Sequence, residues 1–414
     1  MEEKNSEKKE RKMRDSGIPW IGEVPEGWEF SKIKYHCTMK SGDNITALDI
    51  SDNGEYPVYG GNGLRGFYKI YNKNGNHILI GRQGALAGNV HLVNGKFWAT
   101  DHAVIVTLKN DVFINYFFRM LESMNLNQYA FDTAAQPGLS VSRIMNLNIV
   151  LPNLKEQHRI ADFLGSKCSE IDTLIENLRA RMESAKEYKK AVIIEAVTKG
   201  LDKDAKMKDS GVEWIGEIPE GWKVVRFKHI ASIKSNLVQP DKYMKYPQIA
   251  PDNIEKDTGR LLSHQTVDES GVISGNHLFY RGQILYSKIR PNLNKLTVAP
   301  FDGLCSADMY PIESKLPTLF MVYSMLSTYF VSQVSLIIQD RVKMPKINQE
   351  ELGEIKVAVP SQQEMLTIAD YLDSKCSEID ALLQNYEYQI ATLEEYKKSL
   401  IYEYVTGKKE VPEA

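Results

Sequence analysis

Cysteine is scarce: four in 414 residues, at positions 37, 168, 305 and 376, with no CxxC and no close pair. That spacing excludes a disulfide-built domain, offers no zinc site and fits a reducing compartment. No apolar run reaches the roughly eighteen residues that a membrane span needs. The opening MEEKNSEKKERKMR is highly charged and has no apolar core, which argues against a secretory signal and reads as a disordered leader over residues 1–14. No Gly-Lys-Ser/Thr triplet occurs, so a phosphate-cradling Walker loop is excluded. No GxGxxG opens a helix after a strand, and GxSxG, HExxH and the Asn-Pro-Pro-aromatic signature of amino-methyltransferases are all missing. The ExK spacing in PDNIEK, from Pro251, is wrong for a nuclease, and Asp101–His102 reads as an isolated structural pair. What is missing points to binding without chemistry, with no catalytic or metal-ligating residue in this chain.

What is present is a doublet. Lys12–Trp28 matches Lys206–Trp222 at 13 of 17 positions, repeating the lead-in DSGxxWIGExPEGW. A second repeat follows at a different offset: ADFLGSKCSEID from Ala161 and ADYLDSKCSEID from Ala369, continuing through EYKKAVIIEAVT and EYKKSLIYEYVT. The change of offset means that the intervening regions, residues 29–150 and 223–358, differ in length, and they share no obvious sequence. A framework used twice thus carries two divergent inserts. Trp20, Trp28, Trp214 and Trp222 are expected to anchor the lead-ins on the inserts or on the helix ends.

The second repeat is helical. Leu164, Cys168, Ile171, Ile175, Leu178, Met182, Ala185, Lys189, Val192 and Ala196 step by fours and threes. So do Leu372, Cys376, Ile379, Leu383, Tyr386, Ile390, Leu393, Lys397, Leu400 and Tyr404. This is an a/d seam interrupted only at the lysines, and it suits two long helices zipped in one chain, parallel or antiparallel. Ser361 with Glu364, and Asn153 with Glu156, suit the helix starts, and Gly200 and Gly407 the stops. Cys168 and Cys376 lie in the seam and read as small buried hydrophobes.

The net charge of −3 hides an uneven distribution. Tyr56–Thr100 contains no Asp or Glu but carries Arg65, Lys69, Lys73, Arg82 and Lys96. Gly271–Phe301 is likewise acid-free and holds Arg281, Lys288, Arg290 and Lys295, while Val359–Ala414 has eleven acids against five lysines. Short apolar runs such as Ile78–Ile80 and Val104–Val106, punctuated by Gly and Asn, indicate strands and tight turns. Basic surfaces interleaved with Tyr, Asn and Gln suit phosphate contacts and base-edge hydrogen bonds. Within GRQG, from Gly81, flanking glycines would let the backbone approach a duplex closely. The plain alternative is that these cations are simply solvated.

These features together resemble the specificity subunits of type I restriction–modification systems. The matching elements are the doubled lead-in and the helix openings LPNLKEQHRIADFL and VPSQQEMLTIADYL. Inside the inserts, PVYGGNGLRGFY, FWATDHAV, QPGLS and ILYSKIRPNLNK match as well. The resemblance implies an α+β fold: two mixed α/β target-recognition domains separated by two long helices that pair as an intramolecular antiparallel coiled coil, with pseudo-twofold symmetry. It sets expected segments of 15–150 for the first recognition domain, 151–200 for the first spacer helix, 201–358 for the linker and second recognition domain, 359–408 for the second spacer helix and 409–414 for a tail.

By the same resemblance, each insert reads one half of a bipartite, asymmetric double-stranded DNA site. The helices fix the gap between halves and dock two methyltransferase subunits, and restriction/translocase subunits complete a cytoplasmic bacterial or archaeal complex without a membrane partner. No cofactor is expected in this chain; S-adenosylmethionine, ATP and Mg belong to the partners. The expected base readers are Arg82 and Gln83 in the first insert, and Lys288, Arg290, Asn292 and Lys295 in the second. Arg65, Arg341, Lys343 and Lys346 are expected phosphate clamps. The competing class is a coiled-coil scaffold with two protein-binding inserts, which predicts no salt-dependent duplex binding. A single-chain restriction–modification enzyme would carry methylase motifs, and a lone repressor a helix-turn-helix; neither is present.

Overall fold

The structure, a computed structural model, describes residues 11–84, 87–109, 111–129, 138–341 and 343–412. The chain forms two compact units: Met1–Leu178 with Tyr388–Ala414, and Arg179–Glu387. Both boundaries fall inside the two long helices, Leu154–Lys199 and Gln362–Val405, so each helix contributes its beginning to one unit and its end to the other. The expected segments treated each helix as a separate spacer; packing instead divides both.

In the first unit, strands Cys37–Ser41, Ala103–Leu108, His77–Gly81 and Val90–Val93 lie side by side in that order, all antiparallel. The inner strand reads HILIG, and after His77 it is apolar and buried because both of its faces are covered. Ile78 and Ile80 pack with Val104 and Val106 into the core that contains Leu164, Cys168 and Ile171 of the first long helix. Leu79 turns the opposite way, toward Phe97 and Ile105. A second sheet orders Gly63–Tyr68, Tyr56–Gly60, Lys96–Ala99 and Lys73–Asn74, with Tyr56–Gly60 and Lys96–Ala99 parallel.

The second unit repeats this plan on unrelated sequence. Ala231–Ile233, Met309–Ser314, Ile284–Ser287 and Leu296–Val298 form the antiparallel sheet. Pro247–Ile249 and Gly303–Cys305 form the parallel pair inside a five-stranded neighbour. Ile284 and Tyr286 face the core that contains Leu372 and Cys376, whereas Leu285 faces Phe279 and Cys305. The two inserts are therefore one scaffold with different surfaces, which their sequences do not disclose.

The seam is formed in both units. Leu164, Cys168, Ile171 and Ile175 are buried with Leu400, Ile401 and Tyr404 in the first unit, and Val192 and Ala196 with Leu372 and Cys376 in the second. In each unit an early segment of one helix meets a late segment of the other, so the helices run antiparallel. The lysines that interrupt the pattern find carboxylates across the seam: Lys397 Nζ contacts Asp172 at 2.7 Å in the first unit, and Lys189 Nζ contacts Asp380 at 2.6 Å in the second. The repeat explains the match, since SEID supplies the aspartate and EYKK the lysine in both copies. Ser361 and Glu364 close a reciprocal cap, the Asn153 carboxamide accepts from the Glu156 amide, and Gly200 and Gly407 end the helices at φ 76° and 71°. Burial pushes the Cys37 thiol up to about 12 and that of Cys376 up to about 11, leaving both protonated and unreactive at neutral pH.

The leader departs from expectation. Residues 1–10 lie outside those described, but residues 11–14 are tied down: Met13–Asp15 pairs with Glu23–Pro25, and Arg11 reaches Glu156 at 2.5 Å. Strand Met207–Asp209 pairs with Glu217–Pro219 in the same register in the second copy. Trp28 and Trp222 are buried anchors and Trp20 packs against the first core, but Trp214 is 41% exposed and anchors nothing of comparable depth. The tryptophans of the WIGE motifs thus differ between copies, while those that close each lead-in are held alike.

Candidate nucleic-acid interface

In each unit three chain segments meet at the end of the inner strand, joined by the same backbone hydrogen bonds. In the first unit the Arg82 amide donates to the His102 carbonyl at 2.9 Å, and the Arg82 carbonyl accepts from the Leu139 amide at 2.9 Å. In the second, the Lys288 amide donates to the Asp308 carbonyl at 2.9 Å, and the Lys288 carbonyl accepts from Ile347 at 3.0 Å. A bridge between Gln83 and Gly138 corresponds to one between Ile289 and Lys346. The turn beneath is shared as well: the Thr100 amide donates to Tyr59 and the Ser306 amide to Ile249, while the Thr100 and Ser306 hydroxyls accept from the amides of His102 and Asp308. Position 82 is thus equivalent to 288, 102 to 308, and 138 to 346.

On the first junction Arg82 is exposed, and its guanidinium donates to the Ser41 hydroxyl at 3.2 Å. Gln83 is exposed beside it, and Gly84 takes a positive φ of 90° with nothing near its missing side chain, so the GRQG turn is open to solvent. His102 and Asp101 lie 3.9 Å apart and are about equally exposed. The Gly61 backbone approaches the His102 and Gln83 carbonyls so closely that a Cβ there would sit 3.2 Å from the former. Glycine therefore lets the YGGNG turn close on this surface. Asn89 donates to Asn62 at 3.2 Å, and Arg65 is exposed, its side chain lying across Gly60. The result is a surface rich in amide, imidazole and guanidinium groups.

The second junction is more strongly charged. Lys346 Nζ contacts Asp308 at 3.1 Å, and Lys288 Nζ lies 5.3 Å from the Tyr310 ring centre, a cation–π distance. Burial holds the imidazole pKa of His277 below its usual value, and the Lys288 charge lowers it further, so His277 stays neutral at pH 7. Arg290 and Met344 adopt left-handed backbone, φ 42° and 47°, and the Arg290 amide donates to the Pro345 carbonyl at 2.7 Å. Such strain costs roughly 1–2 kcal/mol per residue. It holds the exposed side chains of Arg290, Asn292, Lys343 and Met344 on a braced pair of loops.

Besides Lys346, which pairs with Asp308, two further expected contacts are already engaged. Lys295 is largely buried and donates to the Pro251 carbonyl at 2.8 Å, so it clamps the domain from within. Arg341 forks onto the Glu351 carboxylate and also reaches the Lys346 carbonyl. Conversely, the structure adds Asp308, which no motif had marked, and brings Asp101 and His102, read from sequence as an isolated structural pair within FWATDHAV, onto the junction. Their signal was the common spacing of ATDHAV and CSADMY behind a strand, visible only once the two sheets are matched. The Gln136–Pro137 part of QPGLS lies outside the described residues.

Two strand-rich units with basic, amide-bearing junctions, each including stretches of both long helices, define a tandem-repeat protein. Residues 25–184 match the family described as the type I restriction modification DNA specificity domain. The chain is 34% identical over 267 residues to the type I restriction enzyme EcoDI specificity subunit of Escherichia coli, covering 60% of each chain. It is 41% identical over 152 residues to the EcoprrI specificity subunit, covering 36% of this chain and 38% of that one. These matches thus span less than two thirds of either E. coli relative. The MjaVIII specificity subunit of Methanocaldococcus jannaschii is 28% identical over 423 residues, 93% of each chain. A solved chain described under complex assembly and conformational transition of the type I restriction–modification system shares the fold, with a TM-score of 0.67 at 14% identity over 93% of this chain and 99% of that one. Over residues 25–184 the chain is thus similar to the DNA specificity domain of type I restriction–modification systems.

Proposed function

We propose that this chain is the non-catalytic DNA-sequence-specificity component of a type I restriction–modification complex. Each unit binds one half of a bipartite, asymmetric double-stranded site. The observation that carries this reading is the repeated junction: one backbone lattice built twice, each time at the edge of an acid-poor basic stretch, with different side chains on it. A scaffold used twice with different surfaces suits a site with two unlike halves. Because each mismatched base pair costs about 1–3 kcal/mol and such penalties roughly add, two linked readers multiply specificity. The paired helices set the half-site gap and dock two methyltransferase subunits, with restriction/translocase subunits joining the complex. S-adenosylmethionine, ATP and Mg serve those partners.

Within this reading Arg82, Gln83, Lys288, Arg290 and Asn292 face base edges, and Arg65, Lys343 and Lys346 face phosphates. The test is duplex binding by the full chain at several salt concentrations. Affinity should fall steeply with salt, by a slope of about 0.9 per phosphate neutralised. Arg65→Ala should weaken all sequences alike and lower that slope by about one, whereas Arg82→Ala should relax one base position. Binding indifferent to salt would leave the protein-scaffold reading in its place. Inserting one heptad after Leu178 and another after Ile390 keeps both lysine–aspartate pairs local and should change the gap between half-sites; an unchanged gap removes the ruler role.

A further inference from the structure

The equivalence of the two junctions carries a further step, which rests on the DNA-recognition reading. We infer that the side chain at position 102 in the first unit, and 308 in the second, is a specificity-determining base contact. It works beside the basic residue at 82 or 288. In both units this residue contributes only backbone to the shared lattice: its carbonyl accepts from Arg82 or Lys288, and its amide donates to the hydroxyl of Thr100 or Ser306. The side chain is thereby left out of the scaffold, fixed in place, and free to vary. It does vary, from imidazole to carboxylate, at a point where the fold is the same.

Exposure and chemistry agree with this role. The His102 side chain is 45% exposed and that of Asp308 38%. Lys346 engages Oδ1 of Asp308, and no bond is made to Oδ2 among the described residues. A carboxylate accepts only, so it suits the amino group that cytosine presents in the major groove; the neighbouring Lys288 donates only and suits the guanine acceptors. Arg82 likewise suits guanine, and the His102 imidazole can donate to a purine N7 or accept from an amino group according to its tautomer. Acceptor and donor at adjacent lattice points let one junction read neighbouring bases or both members of one pair. Asp308 also pairs with a residue expected to hold phosphate, so a purely positioning role has a distinct signature: loss of Lys346 placement would weaken every sequence alike.

The experiment selects bound duplexes from a randomised pool, using the full chain together with any methyltransferase subunits that purify with it. Wild type, Asp308→Asn and His102→Asp are compared. Asn reads adenine through paired donor and acceptor groups, so Asp308→Asn should move the preferred base at one position from cytosine toward adenine. The ratio should change about five- to a hundredfold, with the other half-site and the salt slope unchanged. His102→Asp should alter one position in the other half-site only. Thermal melting should change little, because the backbone lattice does not use these side chains. A wild-type consensus retained by both variants overturns the inference while leaving DNA recognition intact. A uniform loss of affinity with a lower salt slope in Asp308→Asn overturns it in favour of positioning Lys346. Absence of any wild-type consensus overturns the recognition reading itself, and this inference with it.

Discussion

The two lead-ins are nearly the same sentence, yet they close their units differently. Trp222 is buried against Gly200 at the end of the first long helix, and its indole nitrogen donates to Glu364 at 3.3 Å. Trp28 is equally buried against Gly407 at the end of the second helix, but its indole nitrogen has no partner among the described residues. The glutamate equivalent to Glu364 is Glu156, and it is taken by Arg11, whose guanidinium also lies 5.5 Å from the Trp28 ring. The residue corresponding to Arg11 in the second copy is Ala205. One arginine thus redirects a carboxylate and leaves a buried donor unsatisfied, a cost of roughly 1–3 kcal/mol against which the ion pair and ring contact act. Repeated sequence secures the same packing; the satisfaction of individual polar atoms depends on a single unrepeated neighbour.

The sharpest way to break this parallel is at the helix-ending glycines. Gly407 sits where an added Cβ would lie 2.6 Å from Pro25, whereas at Gly200 the nearest atom is a Trp222 ring carbon at 3.1 Å. Both positions are left-handed, so alanine costs about 1–2 kcal/mol at either. Overpacking should raise the Gly407→Ala loss to about 3 kcal/mol, measured by urea unfolding of the full chain. Equal losses would show that the first lead-in yields as easily as the second. Next in size, Trp222→Phe forfeits a hydrogen bond to a carboxylate and should cost about 2 kcal/mol more than Trp28→Phe, which removes an unsatisfied donor. If the ranking reverses, Trp28 has a partner that the static arrangement does not show.

The seam offers a gentler comparison. Lys189 is 13% exposed and Lys397 22%, while their aspartates are about half exposed. Asp380→Ala should therefore cost about 1 kcal/mol and Asp172→Ala somewhat less, because the drier lysine is the more dependent on its partner. The smallest expected effect is an acid titration of the second cap. Hydrogen bonding from Ser361 holds the Glu364 carboxyl below its usual value. Its contribution is then present above the ordinary glutamate pKa of about 4.3 and is lost as pH falls through the lowered folded value. The melting-temperature deficit of Ser361→Ala should shrink on acidification below that range; a deficit constant with pH would mean that Glu364 is held by other groups.

Much of the framework was legible because it is written twice and in a helical period. Fours and threes announced the seam, capping residues its starts, and glycines its stops. The pairing of SEID with EYKK across antiparallel helices was latent in the repeat but needed a direction, which the seam pattern alone leaves open. The candidate site was legible only by charge. Arg82 and Lys288 stood out in acid-free stretches, but so did Lys295 and Arg341, which the fold has turned to internal carboxylates and carbonyls. The equivalence of Asp308 to His102, which had read as half of a structural pair, stayed hidden because a carboxylate and an imidazole in unlike sequences share nothing until a strand register aligns them.

Sequence alone determined the doublet, the two long amphipathic helices and the uneven charge, since periodicity and composition are local properties that survive without coordinates. Tertiary structure alone decided that the inserts are the same scaffold and that both helices are shared by both units. It also decided which cations remain free. Those outcomes depend on which segments meet in space and which partners lie within hydrogen-bond reach, and hydrogen bonds between distant strands leave no spacing in the chain from which they could be read.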